Sequence, residues 1–266
     1  MKIAFIGGGN MGEAILAAVL EKGLSTPEAV GVGEVSEERR RYLKDKYGVV
    51  AAPGNREVIA DADIIVLAVK PQNLPDVMAE LKGCLEPNQL VISIIAGVTI
   101  EMLSQGLSHD CIVRAMPNTP AQVGAGMTAW TATAGVTEQQ KAWARNIFSA
   151  MGKEVYFTDE KYLDMATAVS GSGPAYFFLL AESMADAAEQ IGLSREDAEL
   201  LVLQTMLGSA RLLEQSGKTP AELRRSVTSP GGTTERAVSV FEEGGFTKLV
   251  SEAVKAAYNR AKELGK

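Results

Sequence analysis

The chain opens with Ile3-Ala4-Phe5-Ile6-Gly7-Gly8-Gly9-Asn10-Met11-Gly12: four apolar residues, then glycines at 7, 9 and 12. The apolar run has the length of a buried strand, and residues 11–22 have helical content, so the glycines stand where strand turns into helix. In a βαβ unit this spacing has a mechanism. Gly7 allows the tight turn, Gly9 lets the backbone approach a pyrophosphate, and Gly12 permits close helix–strand packing. Amides exposed at the helix N-terminus then meet the negative phosphates. The stretch predicts a dinucleotide site built by Ile6, Gly7, Gly9, Asn10, Met11 and Gly12.

Working outward, short apolar runs continue to alternate with helical stretches. Strand candidates are Ile3–Ile6, Ala29–Gly33, Val49–Ala51, Asp63–Val69, Leu90–Ala96 and Cys111–Met116, followed by Met127–Thr133 and Glu154–Phe157. Asp63–Val69 is nearly continuous in apolar side chains, as a parallel strand covered on both faces requires. Segments 11–22, 36–46, 73–82 and 137–150 read as helix, the first closed by Gly23. The expected class is α/β, an N-terminal Rossmann-type doubly wound sheet. Beyond about Tyr162, Ala, Leu, Met and Glu dominate and strand runs vanish. Pro174 predicts a break or kink within 161–191. Ser194 and Thr219 read as helix N-caps, Thr219 with Pro220 at the first helical position. A last helix is expected from Thr247 to Leu264. The expected domains are therefore 1–160, dinucleotide-binding, and 161–266, an all-helical domain. Ala181–Ile191 and Leu200–Leu213 are apolar over wide faces, and such helices must be covered, which predicts a partner chain and a homo-oligomer.

The bulk numbers exclude several classes. A net charge of −7 argues against a nucleic-acid partner. Cys84 and Cys111 form no CxxC pair, and with His109 as the single histidine no standard zinc set can be assembled, so no metal is expected. The longest apolar run, Leu90 to Ile100, is interrupted by Ser93, Gly97 and Thr99, too short to span a bilayer. The run after Met1-Lys2 is too short for a signal-peptide core. A soluble cytoplasmic protein is expected.

Other strand ends supply the rest of the cofactor site. Glu34, at the end of the second strand, is placed to bind adenine-ribose hydroxyls and disfavours a 2′-phosphate. Arg39, Arg40 and Arg41 follow closely and are candidates either to receive that phosphate or to form a solvated helix face. Cofactor choice between NADH and NADPH therefore stays open. Ala68-Val69-Lys70-Pro71 ends the most apolar strand, where the ligand crevice of an open sheet lies, and Lys70 is a candidate for a phosphate or for the nicotinamide end. Ala96-Gly97 and Met116–Pro120 end later strands in the same way.

A second glycine turn, Ser229-Pro230-Gly231-Gly232-Thr233-Thr234, precedes the helical run Glu235–Glu242. Gly231 and Gly232 can turn successive N–H groups to one side as an anion nest, and Thr233 and Thr234 each add a hydroxyl. An ordinary threonine-capped helix start is the alternative. His109 lies in the polar loop Ser108-His109-Asp110 and reads as a surface residue. A chain with a cofactor site and few acid–base groups fits a reaction whose hard step belongs to the cofactor. Reduction of a polarised C=N bond is such a reaction. A 3-hydroxy-acid reductase of the same shape would need a lysine on the inter-domain helix, and a nucleotide sensor would have no reason to keep the second turn.

These motifs resemble pyrroline-5-carboxylate reductases end to end. The matching segments are Phe5–Met11, Ala68–Gln72, Ala96–Thr99, Arg114–Pro120, Gly171–Ala175 and Val227–Thr234. The resemblance implies reduction of 1-pyrroline-5-carboxylate to L-proline by NADPH or NADH. It also implies a C-terminal helical domain that dimerises by interleaving helices, with dimers assembled as a decamer of five. By the same resemblance, the substrate carboxylate sits on amides of Gly232–Thr234, Thr234 is the catalytic residue that hydrogen-bonds the ring nitrogen, and Asn55 lies on the adenine side. Glu34 stands where many members have a small hydroxyl residue, and Gly217 where some have a glutamate that touches the product.

Overall fold

In a computed structural model, residues 1–265 are described. Eight strands form one sheet: β1 (Ile3–Ile6), β2 (Val30–Gly33), β3 (Val50–Ala52), β4 (Ile64–Leu67), β5 (Leu90–Ser93), β6 (Ile112–Met116), β7 (Gly126–Ala132) and β8 (Gly152–Tyr156). Helices α1 (Asn10–Glu21), α2 (Glu37–Tyr47), α3 (Asn55–Ile59), α4 (Leu74–Leu81), α5 (Ile100–Leu107) and α6 (Glu138–Ala150) alternate with them. The helical remainder comprises α7 (Lys161–Ala166), α8 (Gly173–Gln190), α9 (Arg195–Ser216), α10 (Pro220–Ser226), α11 (Thr233–Glu243) and α12 (Phe246–Leu264).

The strand order is β3-β2-β1-β4-β5-β6-β7-β8. Pairing is parallel throughout except between β6 and β7. The first six strands therefore point the same way, and their C-terminal ends share one edge. Period-two alternation divides their side chains between two cores. Ile3, Phe5, Ile64, Val66 and Val113 pack with Ile15 and Val19 of α1 and Ile147 and Phe148 of α6. Ala4, Ile6, Ile65, Leu67 and Ile112 pack with Leu74 and Leu81 of α4 and Leu103 and Leu107 of α5. Helices on both faces are what make β4 read as unbroken apolar sequence. The expected doubly wound class is the observed one.

The chain divides into two compact units, Met1–Ser172 joined by the chain end from Ala257, and Gly173–Ala256. The sequence placed a boundary at 160/161. The compact sheet unit runs past that position, through α7 and a π-helical turn, Thr167–Gly171, because that segment is tied to the sheet. Arg114, in the middle of β6 and 5% exposed, is bonded to Glu160 at 2.6 Å and Asp164 at 3.1 Å. Leu163 of α7 and Ala168 of the π-helical turn are also buried. The π-turn, completed before Pro174, is the break that proline predicts, since proline offers no amide to continue the preceding ladder.

His109 corrects the sequence reading. It is 6% exposed, not a surface residue, and its Nε2 donates to the Gln89 carbonyl at 2.7 Å. Ser108, in the left-handed conformation (φ 53°), ends α5 and turns the chain back over the sheet. The amide of Gln89 donates to Ile59 and Ala62 carbonyls, so a buried polar hub closes the edge of the sheet opposite the glycine turn.

Within the second unit, Ser194 and Thr219 cap α9 and α10 as expected, Thr219 in a reciprocal capping box with Glu222. Arg195 clamps the α8–α9 hairpin by bonding Asp186, Glu189 and Glu199. The unit's own buried core is only Ala185, Ala198 and Val202. Phe177, Phe178, Leu179, Leu200, Leu201 and Leu203 are each more than half exposed.

In β7, the Thr128 hydroxyl is buried without a hydrogen-bond partner among the described residues, which carries a desolvation cost. Thr128→Val, which keeps the shape and removes that group, is expected to stabilise the protein by about 1 kcal/mol and to raise the thermal midpoint by about 2–4 °C in a melting experiment.

Candidate active site

At the C-terminal edge of the sheet, order reverses between β1 and β4, and this switch point is where open α/β sheets hold ligands. The first glycine turn lies there. Gly7 has φ +100°, and a Cβ on it would meet the Ala68 carbonyl oxygen at 2.9 Å, so the turn admits only glycine. A Cβ on Gly12 would stand 2.5 Å from the Gly7 oxygen and 3.3 Å from the Ala68 Cβ. Helix α1 therefore starts directly over β1 and β4. Space beside Gly9 is open. The amides of Gly9, Asn10 and Met11 have no hydrogen-bond partner among the described residues, as a helix N-terminus aimed at phosphates requires. These are the features a dinucleotide pyrophosphate needs, and they fit it.

Around the turn the structure gathers most of the predicted cofactor residues. Ala68 and Val69 adjoin Gly7, and exposed Lys70 precedes Pro71 at the end of β4. Glu34 follows β2 and accepts the Gly8 amide (2.9 Å) and the Ser36 amide (2.9 Å). Asn55 begins α3 beside Gly33, where a Cβ would meet its Oδ1 at 2.4 Å, and its side-chain amide donates to Glu80 at 2.6 Å. Ala96 and Gly97 follow β5, with Gly97 set against Leu264 of the returning chain end. The Met116–Pro120 segment is anchored by Asn118, which donates to the Ser170 carbonyl and accepts the Met127 amide. Gly231, Gly232, Thr233 and Thr234 belong to the second unit.

The three arginines have distinct partners. Arg41 pairs with Glu37 on the surface, and Arg40 donates to the carbonyls of Glu34 and Val35. Arg39 donates to the Gly8 carbonyl and forms an ion pair with Glu13. Sequence reading passed over Glu13. Its signal was an acid one turn into the helix expected to face phosphates. Burial raises its pKa, but hydrogen bonds from Lys46, Tyr47, Arg39 and Tyr42 outweigh burial and hold the carboxyl down at about 2.

In the second unit, Gly232 is the N-cap residue of α11 and has no side-chain cap, and Gly231 has φ +72°. The Gly231 amide donates to a carboxylate oxygen of Glu235 at 2.7 Å. The amides and hydroxyls of Thr233 and Thr234 have no partner among the described residues. Thr234 is half-buried and Thr233 exposed. Among the described residues no group of three or more His, Cys, Asp or Glu side chains could hold a metal ion. No helix there is long and apolar enough to cross a membrane.

Strand order, glycine turn and unpaired amides define a dinucleotide-dependent oxidoreductase of Rossmann class. Residues 2–97 match the family model "NADP oxidoreductase coenzyme F420-dependent", and residues 160–264 match "Pyrroline-5-carboxylate reductase dimerisation". A pyrroline-5-carboxylate reductase of Synechocystis sp. is 47% identical over 100% of this chain and 99% of its own. The structure of a pyrroline-5-carboxylate reductase from Coxiella burnetii superposes with a TM-score of 0.92 at 43% identity, covering 100% of this chain and 98% of that one. That of Plasmodium falciparum pyrroline carboxylate reductase, with NADP bound, has a TM-score of 0.91 at 33% identity with the same coverage. The chain belongs to the pyrroline-5-carboxylate reductase family: it is an NAD(P)H-dependent reductase, and its helical part is the family's dimerisation region, which makes it a homo-oligomer.

Two outcomes follow from this geometry. Gly12→Ala pushes a methyl into the Gly7 carbonyl and is expected to raise the cofactor dissociation constant at least tenfold, read by titration of NADPH fluorescence. Glu13 has its depressed pKa only when folded. It contributes on the order of 1–2 kcal/mol after solvent screening, present above its ordinary value of 4.5 and lost as pH falls toward about 2. Glu13→Gln is expected to remove that acid-side loss of stability while lowering the plateau near pH 7, measured by denaturation across pH.

Proposed function

We propose that this chain reduces 1-pyrroline-5-carboxylate to L-proline, with the substrate carboxylate held by the Gly231–Thr234 turn and Thr234 acting on the ring nitrogen. The observation that carries the reading is the bond from the Gly231 amide to Glu235: this turn holds a carboxylate on its backbone. Beside it, the Thr233 and Thr234 amides stand at the start of α11, where helix polarity favours an anion.

When bound, the reduced nicotinamide supplies the hydride. The residues supply the rest. As the C=N carbon gains a hydride, its π electron pair moves to nitrogen, which takes a proton to become the secondary amine. The Thr234 hydroxyl donates to that nitrogen as its lone pair develops, an interaction stronger in the transition state than before it. Anchoring the carboxylate fixes the ring, and such positioning is worth roughly 7–11 kcal/mol in favourable cases. No acid–base histidine enters: His109 is committed to Gln89 at the far edge of the sheet.

Residues 1–160 bind the dinucleotide through Ile6, Gly7, Gly9, Asn10, Met11, Gly12, Glu34, Asn55, Ala68–Pro71, Ala96 and Gly97. Residues 161–266 carry substrate binding and dimerisation. Five dimers assemble into a decamer, and the enzyme acts in the cytoplasm. The family likeness supports the assembly, and light scattering of the purified protein distinguishes it from a lone dimer.

Thr234→Ala is expected to lower turnover ten- to a hundredfold, about 1.4–2.7 kcal/mol, with the fold intact by circular dichroism. The assay follows NADPH or NADH oxidation with 1-pyrroline-5-carboxylate. Wild-type turnover in that variant refutes the role of Thr234, and no oxidation by the unaltered chain refutes the reaction.

A further inference from the structure

We infer that Arg39 is a positioning residue for the dinucleotide turn, acting through the Gly8 carbonyl, and that it does not read the 2′-phosphate that distinguishes NADPH from NADH. The inference rests on the reading of the first glycine turn as the cofactor site. It is carried by a grip on both sides of one residue, at the N–H of the Gly7–Gly8 peptide and at the C=O of the Gly8–Gly9 peptide. Glu34 takes the Gly8 N–H at 2.9 Å, and the Arg39 Nε–H donates to the Gly8 carbonyl at 2.5 Å. A Cβ on Gly8 would stand 2.6 Å from the Leu43 Cδ1, so the peptide also lies against α2. The next three amides are the unpartnered ones of Gly9, Asn10 and Met11. The Gly8 carbonyl shares one peptide plane with the Gly9 amide, so the bond from Arg39 fixes the direction of the first of these amides and the point from which the other two follow.

Arg39 is itself immobilised. Its Nη2 is ion-paired with Glu13, its guanidinium lies 4.8 Å from the Tyr42 ring centroid, and its side chain is 25% exposed. Glu13 in turn accepts from Lys46, Tyr42 and Tyr47, so α2 is riveted to the first turn of α1. An acid beside a phosphate-facing helix start opposes anion binding through space. Its presence is explained by its work on Arg39, and two cations offset its charge. A guanidinium whose Nε and Nη2 are spent on Gly8 and Glu13 is poorly placed to form the paired bonds by which arginine reads phosphate.

The test compares Arg39→Lys and Arg39→Ala with the unaltered enzyme. Lysine can keep the ion pair with Glu13 but offers one point charge in place of a fork, so it loses the bond to Gly8. Dissociation constants for NADH and for NADPH are measured by calorimetry, and amide hydrogen exchange of residues 8–12 is followed in the free protein. Expected for Arg39→Lys are about tenfold weaker binding of both cofactors, their ratio unchanged within twofold, and faster exchange at residues 8–12. The KM for 1-pyrroline-5-carboxylate and the kcat at saturating cofactor stay near the unaltered values, which a loss of fold would not leave in place. Arg39→Ala is expected to show the same pattern with lower thermal stability; if it does not fold, the lysine variant decides. Selective loss of NADPH binding overturns the inference, as does unchanged binding of both. Gly12→Ala serves as the control. If it too leaves binding unchanged, the cofactor-site reading fails; if only the Arg39 variants do, the Arg39 inference alone fails.

Discussion

Everything at the cofactor end depends on one close approach, that of the α1 backbone to the turn it springs from. The Cα of Gly12 lies where any side chain would strike the Gly7 carbonyl. Helix α1 can therefore begin over the junction of β1 and β4, and its unpaired amides open at the switch point and not to one side of it. The same closeness lets Ile15 and Val19 reach the sheet and bury with Phe5 and Val66. Each such side chain contributes roughly 1.5–3 kcal/mol. Packing energy of the first core thus holds the helix start in the position that a dinucleotide requires.

A second layer of polar bonds refines that placement. Glu34, Arg39 and Glu13 come from β2's end, α2 and α1, and each is bonded to a neighbour in the turn or its helix. Apolar packing is tolerant of small rotations, whereas hydrogen bonds to the two peptides that flank one residue are not. A site that must present successive amides to a pyrophosphate gains accuracy from such supports. The second unit shows the opposite balance. Its helices bury three residues among themselves and leave phenylalanines and leucines exposed. A surface of that kind on a unit of this size belongs to an interface, which agrees with the family's dimerisation region over residues 160–264.

Much of this was legible along the chain, because local signals and tertiary outcome coincide where period and punctuation are strong. The unbroken apolar run at β4, the glycines at 7 and 12, Pro174, and the caps Ser194 and Thr219 all encode their own environment within a few residues. Elsewhere the deciding partner is distant. His109 sits in a polar tripeptide and looks solvated, yet Ser108 turns it under the sheet to Gln89, twenty residues away. Arg114 is a charged residue within an apolar strand, and only its bonds to Glu160 and Asp164 explain it and move the limit of the sheet unit to Ser172. Arg39 offered two readings, phosphate receptor or solvated face. Its bonds to Gly8 and Glu13 remove it from a solvated face and are the ground on which a positioning role is inferred.

The sequence by itself determined the class of fold, the family and the two glycine turns, because these rest on backbone conformation and side-chain periodicity, which are local properties. Tertiary structure alone decided which charged groups hold the first turn and that the Gly231 amide is already bonded to a carboxylate. It also decided where one unit ends and the other begins. Those are questions of which residues meet across long loops, and the energy of a buried ion pair or a shared hydrogen bond depends on geometry that no single segment contains.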